Sequence, residues 1–185
     1  MASTLKSPRL ADEEVLQQWY GKRVLKRNFK LPDGTISDFY VFGGTIPVII
    51  FPLTQNKEVI TVWQFRYGAN KFILEIPGGN IKKNETPRET VENELLEETG
   101  YLPKEIYQLG KPIWFDPASF TVSYFPFIAL GCKKIKEPNP ERTEIMETIL
   151  VPLEEWIKMV SQGEIEDSKT LAVTLLALTV LGRLC

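Results

Sequence analysis

The order of apolar and polar residues divides the chain into strand-like and helix-like stretches. Residues 22–41 carry β-branched and aromatic side chains on both sides of the turn signal Pro32-Asp33-Gly34, which predicts a β-hairpin. Three more strand-like runs, 45–53, 59–65 and 72–76, are separated by Gln55-Asn56-Lys57 and Tyr67-Gly68-Ala69-Asn70. A glycine turn follows, then a helix over 87–99, strands around 121–130 and 145–151, and helices over 153–160 and 168–181. Residues up to about Glu14 are expected to form a loose or helical lead-in. Mixed, segregated elements of this kind predict an α+β fold or a three-layer sandwich.

The helix over 87–99 has the clearest ends. Thr86-Pro87-Arg88-Glu89 has the form of a capping box with proline at the first helical position, and Gly100 suits the position just past the last turn. Around its axis Val91 and Leu95 mark the apolar stripe, and Glu98, Glu94 and Glu97 share an arc of about 100° beside it. Glu98 borders the core. Six glutamates (Glu85, Glu89, Glu92, Glu94, Glu97, Glu98) and one arginine fall within 85–98, and Glu94 and Glu98 repel one another at i, i+4. A hard divalent cation with oxygen ligands offsets such repulsion; an acidic, solvated helix face is the alternative. Before the helix stands Glu75-Ile76-Pro77-Gly78-Gly79, a strand ending in two glycines, where bare backbone admits a metal or a phosphate, or simply turns.

Composition narrows the chemistry. At 185 residues the chain is one domain, or one domain with a small extension. Twenty-two basic against 24 acidic residues give a net charge of -2, without the basic footprint of a nucleic-acid binder. The absence of histidine excludes Ser-His-Asp and Cys-His catalysis and histidine-ligated zinc. Cys132 and Cys185 are too few for a disulfide framework, are read as structural or incidental, and fit a reducing cytoplasm. Residues 1–20 lack the uninterrupted apolar core of a signal peptide, and the apolar stretch 171–181 is too short to span a bilayer. A cytoplasmic protein without a membrane partner is expected.

Gly79, Glu85 six positions on, and Asn93-Glu94-Leu95-Leu96-Glu97-Glu98-Thr99-Gly100-Tyr101 resemble the Nudix box, GX5EX7REUXEEXGU. Asn93 is the one departure, where the family has arginine. By helical spacing it faces Glu89 and Glu97, so asparagine can hydrogen-bond there without neutralising. Gln64-Phe65-Arg66-Tyr67 with the segment 74–79, and the segment 163–170, are similar to flanking motifs of the ADP-ribose pyrophosphatase branch.

The resemblance implies a Nudix-type α/β/α sandwich with a mixed sheet, preceded by an antiparallel strand extension. The implied division is 1–44 for the lead-in and extension and 45–185 for the hydrolase domain, with the box at 79–101. It implies hydrolysis, with Mg²⁺ or Mn²⁺, of the pyrophosphate of ADP-ribose or another nucleoside diphosphate sugar, giving a nucleoside monophosphate and a sugar phosphate. Alternatives are a Nudix hydrolase acting on dinucleoside polyphosphates, coenzymes or capped RNA, or a weakly catalytic nucleotide-binding module. The implied metal ligands are Glu94, Glu98, the Gly78 carbonyl and Glu97, with Glu85 and Glu75 as lesser candidates. A loop glutamate, Glu144 in preference to Glu141, assists catalysis with Glu97 and Glu98. Arg66 is assigned to substrate phosphate, a structural salt bridge being its other reading, and Tyr20, Phe29 and Tyr40, among the N-terminal aromatics, to the nucleobase. A homodimer sharing the N-terminal strands is expected, with no stable nucleic-acid partner.

Overall fold

The computed structural model describes residues 5–183, so Cys185 lies outside the described residues. The chain forms two compact units. One comprises the residues up to Thr45 together with Trp114–Ser123, and the other Ile46–Ile113 together with the chain from Tyr124 onward.

In the first unit β1 (Arg9–Trp19), β2 (Lys22–Lys30) and β3 (Ile36–Gly43) make an antiparallel sheet in that order. The expected hairpin is present as β2 and β3, turned at Pro32-Asp33-Gly34, where Asp33 accepts from the Thr35 backbone N–H at 2.9 Å. The expected loose or helical lead-in is overturned. From Arg9 onward it is a strand paired with β2 along its whole length, joined to it through Tyr20 and Gly21, whose φ angles of 42° and 74° suit a tight hairpin turn. Every residue of β1 is exposed, so no buried face imposed an alternating pattern on its sequence.

The second unit is built on one mixed sheet. β4 (Pro47–Thr54) and β5 (Glu58–Arg66) form its centre. β6 (Lys71–Glu75) pairs antiparallel with β5, and β7 (Gly78–Asn80) with β4. Helix α1 (Pro87–Thr99) follows, then the short strands β8 (Tyr101–Leu102), β9 (Glu105–Gln108) and β10 (Ile113–Trp114). β11 (Ser123–Lys134) lies parallel to β4, and β12 (Met146–Pro152) antiparallel to β5. Helices α2 (Leu153–Ser161) and α3 (Ser168–Val180) end the chain.

Alternation along β4 and β5 divides the core. Val48, Ile50 and Ile60 pack with Val91 and Leu95 of α1 on one face, whereas Ile49, Phe51 and Val59 meet Trp156, Val173 and Ala177 of α2 and α3 on the other. This is the expected α+β, α/β/α sandwich. The apolar run at 171–181 lies in α3, which buries one face through Val173, Thr174, Ala177 and Leu178 and leaves Leu175 and Val180 exposed, and among the described residues no helix is long and apolar enough to cross a membrane. The glycine pair after β6, expected as a turn, is instead the strand β7, because its backbone completes the ladder beside β4.

Candidate active site

Local sequence fixes where α1 starts and stops. Thr86 Oγ1 accepts from the Glu89 backbone N–H at 3.3 Å, and the Glu89 carboxylate accepts from the Thr86 N–H at 2.7 Å. At the other end Gly100 takes φ 78°, and a Cβ there would run into the Lys136 carbonyl. With Val91 and Leu95 fully buried, the helix turns Glu94 and Glu98 inward to 8% and 4% exposure, and leaves Glu97 half-buried beside them.

Both inward carboxylates lie against the glycine pair. The Gly78 N–H donates to Glu98 Oε2 at 3.1 Å. A Cβ on Gly79 would overlap the Glu94 carboxylate, so only glycine at 79 lets that side chain lie across the end of β7. Burial, with the charges of Glu94 and Glu144 added to it, holds the Glu98 carboxyl well above the usual carboxylate range, against the Gly78 N–H and Arg66. Burial likewise pushes Glu94 up to about 7, with Glu97, Glu144 and Glu85 adding to the effect and Lys82 opposing it. The Lys82 Nζ lies 3.2 Å from Glu97 Oε2 and 4.0 Å from Glu94 Oε1.

Glu144 and Glu141 share a turn, in which the Glu141 N–H donates to Glu144 Oε2 at 2.8 Å. Glu141 is exposed, whereas Glu144 is half-buried and its charge acts on both Glu94 and Glu98. The segment is tied down where the Asn139 N–H donates to the Glu97 carbonyl at 2.8 Å and Tyr67 Oη to the Thr143 carbonyl at 3.1 Å.

Arg66 is engaged by the buried Glu75, its Nε and Nη2 donating to the two carboxylate oxygens at 2.7 and 2.6 Å. Burial opposes the Arg66 charge, but Glu75, Glu98 and Asp167 outweigh it and raise the guanidinium above its ordinary value. Its side chain keeps 41% exposure. Asn93 departs from the expected pairing with Glu89 and Glu97. Glu89 is turned into the capping box, and Asn93 Nδ2 donates instead to Glu85 Oε1 at 3.2 Å, the other Glu85 oxygen accepting from Thr90 Oγ1 at 3.0 Å.

The aromatic candidates belong to the other unit. Tyr20 is almost fully exposed at the β1–β2 turn. Phe29 packs edge-on against Phe39 with ring centres 5.7 Å apart and lines a cavity of about 300 Å³ with Arg27, Phe39 and Phe120. Tyr40, exposed, lies beside Lys26 in the ladder, so strand alternation puts it on the opposite sheet face from Phe29. Cys132 is buried, and burial pushes its thiol up to about 12, which suits a structural role.

Sequence reasoning missed Lys82 and gave no role to Gln64. Lys82 stands in irregular chain, where spacing predicts no geometry. Gln64 Oε1 is, among the described residues, the one buried side-chain oxygen or nitrogen without a partner, and alternation along β5 puts Gln64 on the α1 face with Ile60. Among the described residues no three acidic, cysteine or histidine side chains already close on one point at metal-ligand spacing. The chemistry nevertheless fits a hard cation: two buried carboxylates, further acidic groups pressing on them and a glycine where Glu94 needs room.

Residues 45–173 match the family model of the NUDIX domain. An ADP-ribose pyrophosphatase of Bacillus subtilis (strain 168) is 30% identical over 142 residues, 76% of this chain and 76% of that protein. A methanol dehydrogenase activator of Bacillus methanolicus is 31% identical over 170 residues, 88% of this chain and 90% of that one. The solved structure of an ADP compounds hydrolase superposes with a TM-score of 0.82 over 99% of this chain and 100% of its own, at 17% identity, and so shares the fold.

Proposed function

We propose that this chain, which belongs to the Nudix hydrolase family, hydrolyses the pyrophosphate of ADP-ribose or a related nucleoside diphosphate sugar. One observation carries the reading: Glu94 and Glu98 are buried together on α1 against the Gly78-Gly79 strand end, an arrangement without purpose in a solvated acidic helix. The B. subtilis relative supports the choice of substrate.

In this reading Glu94, Glu97, Glu98 and the Gly78 carbonyl hold Mg²⁺ or Mn²⁺. The bound ion supplies a Lewis acid for the phosphates and a lower pKa for water. The residues do the rest. The Gly78 N–H orients Glu98, and Gly79 leaves the room that the Glu94 carboxylate occupies. Glu144, the half-buried carboxylate of its loop, accepts the proton of the attacking water. Water oxygen forms a new bond to one phosphorus as the bridging P–O bond breaks, leaving a nucleoside monophosphate and a sugar phosphate. Arg66, oriented by Glu75, turns the remaining edge of its guanidinium to a phosphate oxygen. Of the three aromatic candidates the nucleobase is assigned to Phe29, which lines a cavity, since Tyr40 stands on the opposite sheet face and Tyr20 at the β1–β2 turn.

The division into a strand extension, 1–44, and a hydrolase domain, 45–185, belongs to the same reading, as does a cytoplasmic location. A homodimer is proposed because β1, an edge strand of 11 residues among the described residues, exposes Leu10, Val15, Leu16 and Trp19. Product analysis over a panel of nucleotide sugars, with Mg²⁺, with Mn²⁺ and with chelator, tests the function. A cation-dependent monophosphate and sugar phosphate are expected, and no turnover on the whole panel refutes it. Light scattering at micromolar concentration tests the dimer.

A further inference from the structure

The carboxylate cluster has a cation that the chain itself supplies. Lys82 stands between β7 and α1, with its ammonium within reach of Glu97 and Glu94 together. The two contacts differ in worth. Glu97 and Lys82 are 44% and 47% exposed, so water screens that pair, which mainly positions the ammonium. The Glu94 side chain is only 11% exposed, and the largest charge contributions on it besides that of Lys82 come from Glu97, Glu144 and Glu85, all negative. Lys82 is thus the compensating charge for a carboxylate that water scarcely reaches. The oxygens it faces are among those assigned above to the divalent cation.

We propose that Lys82 is a tethered counterion of the cation site, occupying the Glu94 and Glu97 side and withdrawing to solvent when a divalent cation binds. The inference rests on the metal-dependent reading given above. The position suits such exchange. Residues 81–86 form no helix or strand, and a lysine stem can swing its ammonium into water without desolvating it. Glu98, the deeper of the two inward carboxylates of α1, is held by the Gly78 N–H and stays out of the exchange. Apparent cation affinity is then the intrinsic affinity reduced by the fraction of molecules in which Lys82 has withdrawn. A monovalent ion brings no more charge than the ammonium already present, so the tether favours divalent ions. It also keeps the cluster compensated before they bind.

Lys82→Met removes the charge and keeps most of the stem, while Lys82→Arg keeps the charge. Mn²⁺ and Mg²⁺ are titrated onto the full chain without substrate, by calorimetry and by thermal unfolding at low salt. The inference expects metal-free Lys82→Met to melt below the parent and to bind Mn²⁺ roughly 3- to 10-fold more tightly, with Lys82→Arg close to the parent. Binding by Lys82→Met as weak as the parent's, or weaker, overturns it. Binding of neither cation by the parent or by Lys82→Met overturns the metal-dependent reading and this inference together. Equal, measurable affinities in parent and variants overturn this inference alone.

Discussion

Metal-free protein should become more stable as the pH is lowered from 7.5 to 5.5. Glu94, ordinarily near 4.5, titrates at about 7 in the folded chain, chiefly because it is buried. Between those values the folded state holds a proton that the unfolded state has lost, so stability falls as pH rises, and the penalty is complete only above pH 7. At pH 7 the Glu94 penalty is about 3 kcal/mol and at pH 5.5 about 1.4 kcal/mol, so acidification from pH 7 to 5.5 recovers about 1.6 kcal/mol. For a chain of 185 residues that is a rise in Tm of roughly 3 to 6 °C. Glu98, held up in the same direction, adds to the slope.

The window is unusually clean. There is no histidine, and Asp33, Glu89, Asp116 and Asp167 are all lowered, so their transitions lie below it. The assay is thermal unfolding in chelator at half-unit pH steps, for the parent and for Glu94→Gln. The substitution should raise the Tm at pH 7.5 and flatten the slope. Added Mg²⁺ should reverse the trend, since a cation binds the ionised carboxylates and its stabilisation grows with pH. A metal-free Tm that is flat or rises with pH, or an unchanged slope in Glu94→Gln, would refute the reasoning.

Glu98→Gln should raise metal-free stability while lowering cation-dependent turnover by at least ~10²-fold, and turnover within a few-fold of the parent sinks the ligand assignment. Glu144→Gln should lower kcat with little change in KM, with Glu141→Gln near the parent; the reverse pattern, read from steady-state kinetics, means the wrong loop carboxylate has been chosen. Gly79→Ala should displace Glu94, weakening Mn²⁺ binding by calorimetry and abolishing most turnover in a protein whose circular dichroism is unchanged. Asn93→Arg should shift stability by no more than about 0.5 kcal/mol and hold or raise turnover, since its present partner is Glu85 at the helix entrance; loss of activity in a folded variant gives Asn93 a role of its own.

The legible and illegible parts of the fold separate by what leaves a periodic trace. α1 was readable to the residue because its ends depend on local chemistry, a capping box at Thr86 and a left-handed Gly100. The central strands were readable because each face of β4 and β5 meets a helix layer. β1 was not, since both of its faces are exposed and its partner is found only through a two-residue turn. The short strands β8, β9 and β10 were missed for a related reason. Runs of two to four residues are too brief to display a period.

The same division runs through the site. The helical arc already put Glu94 and Glu98 beside the core, and their burial follows from it. What turns the two into a functional cluster is supplied from outside the helix. Gly78 donates to a carboxylate 20 residues away, Gly79 makes room for another, and Glu144 adds its charge from a loop reached only after β11 has crossed the sheet. Asn93 shows the limit most sharply. Helical spacing paired it with residues one turn away, but Glu89 was already committed to the cap and Glu97 accepts from Lys82, which left Glu85, outside the helix, as the acceptor it meets. A residue's nearest candidates by periodicity are thus its partners only after every stronger local claim on them has been met. The capping box is such a claim, and it can be read from the sequence before the structure is seen.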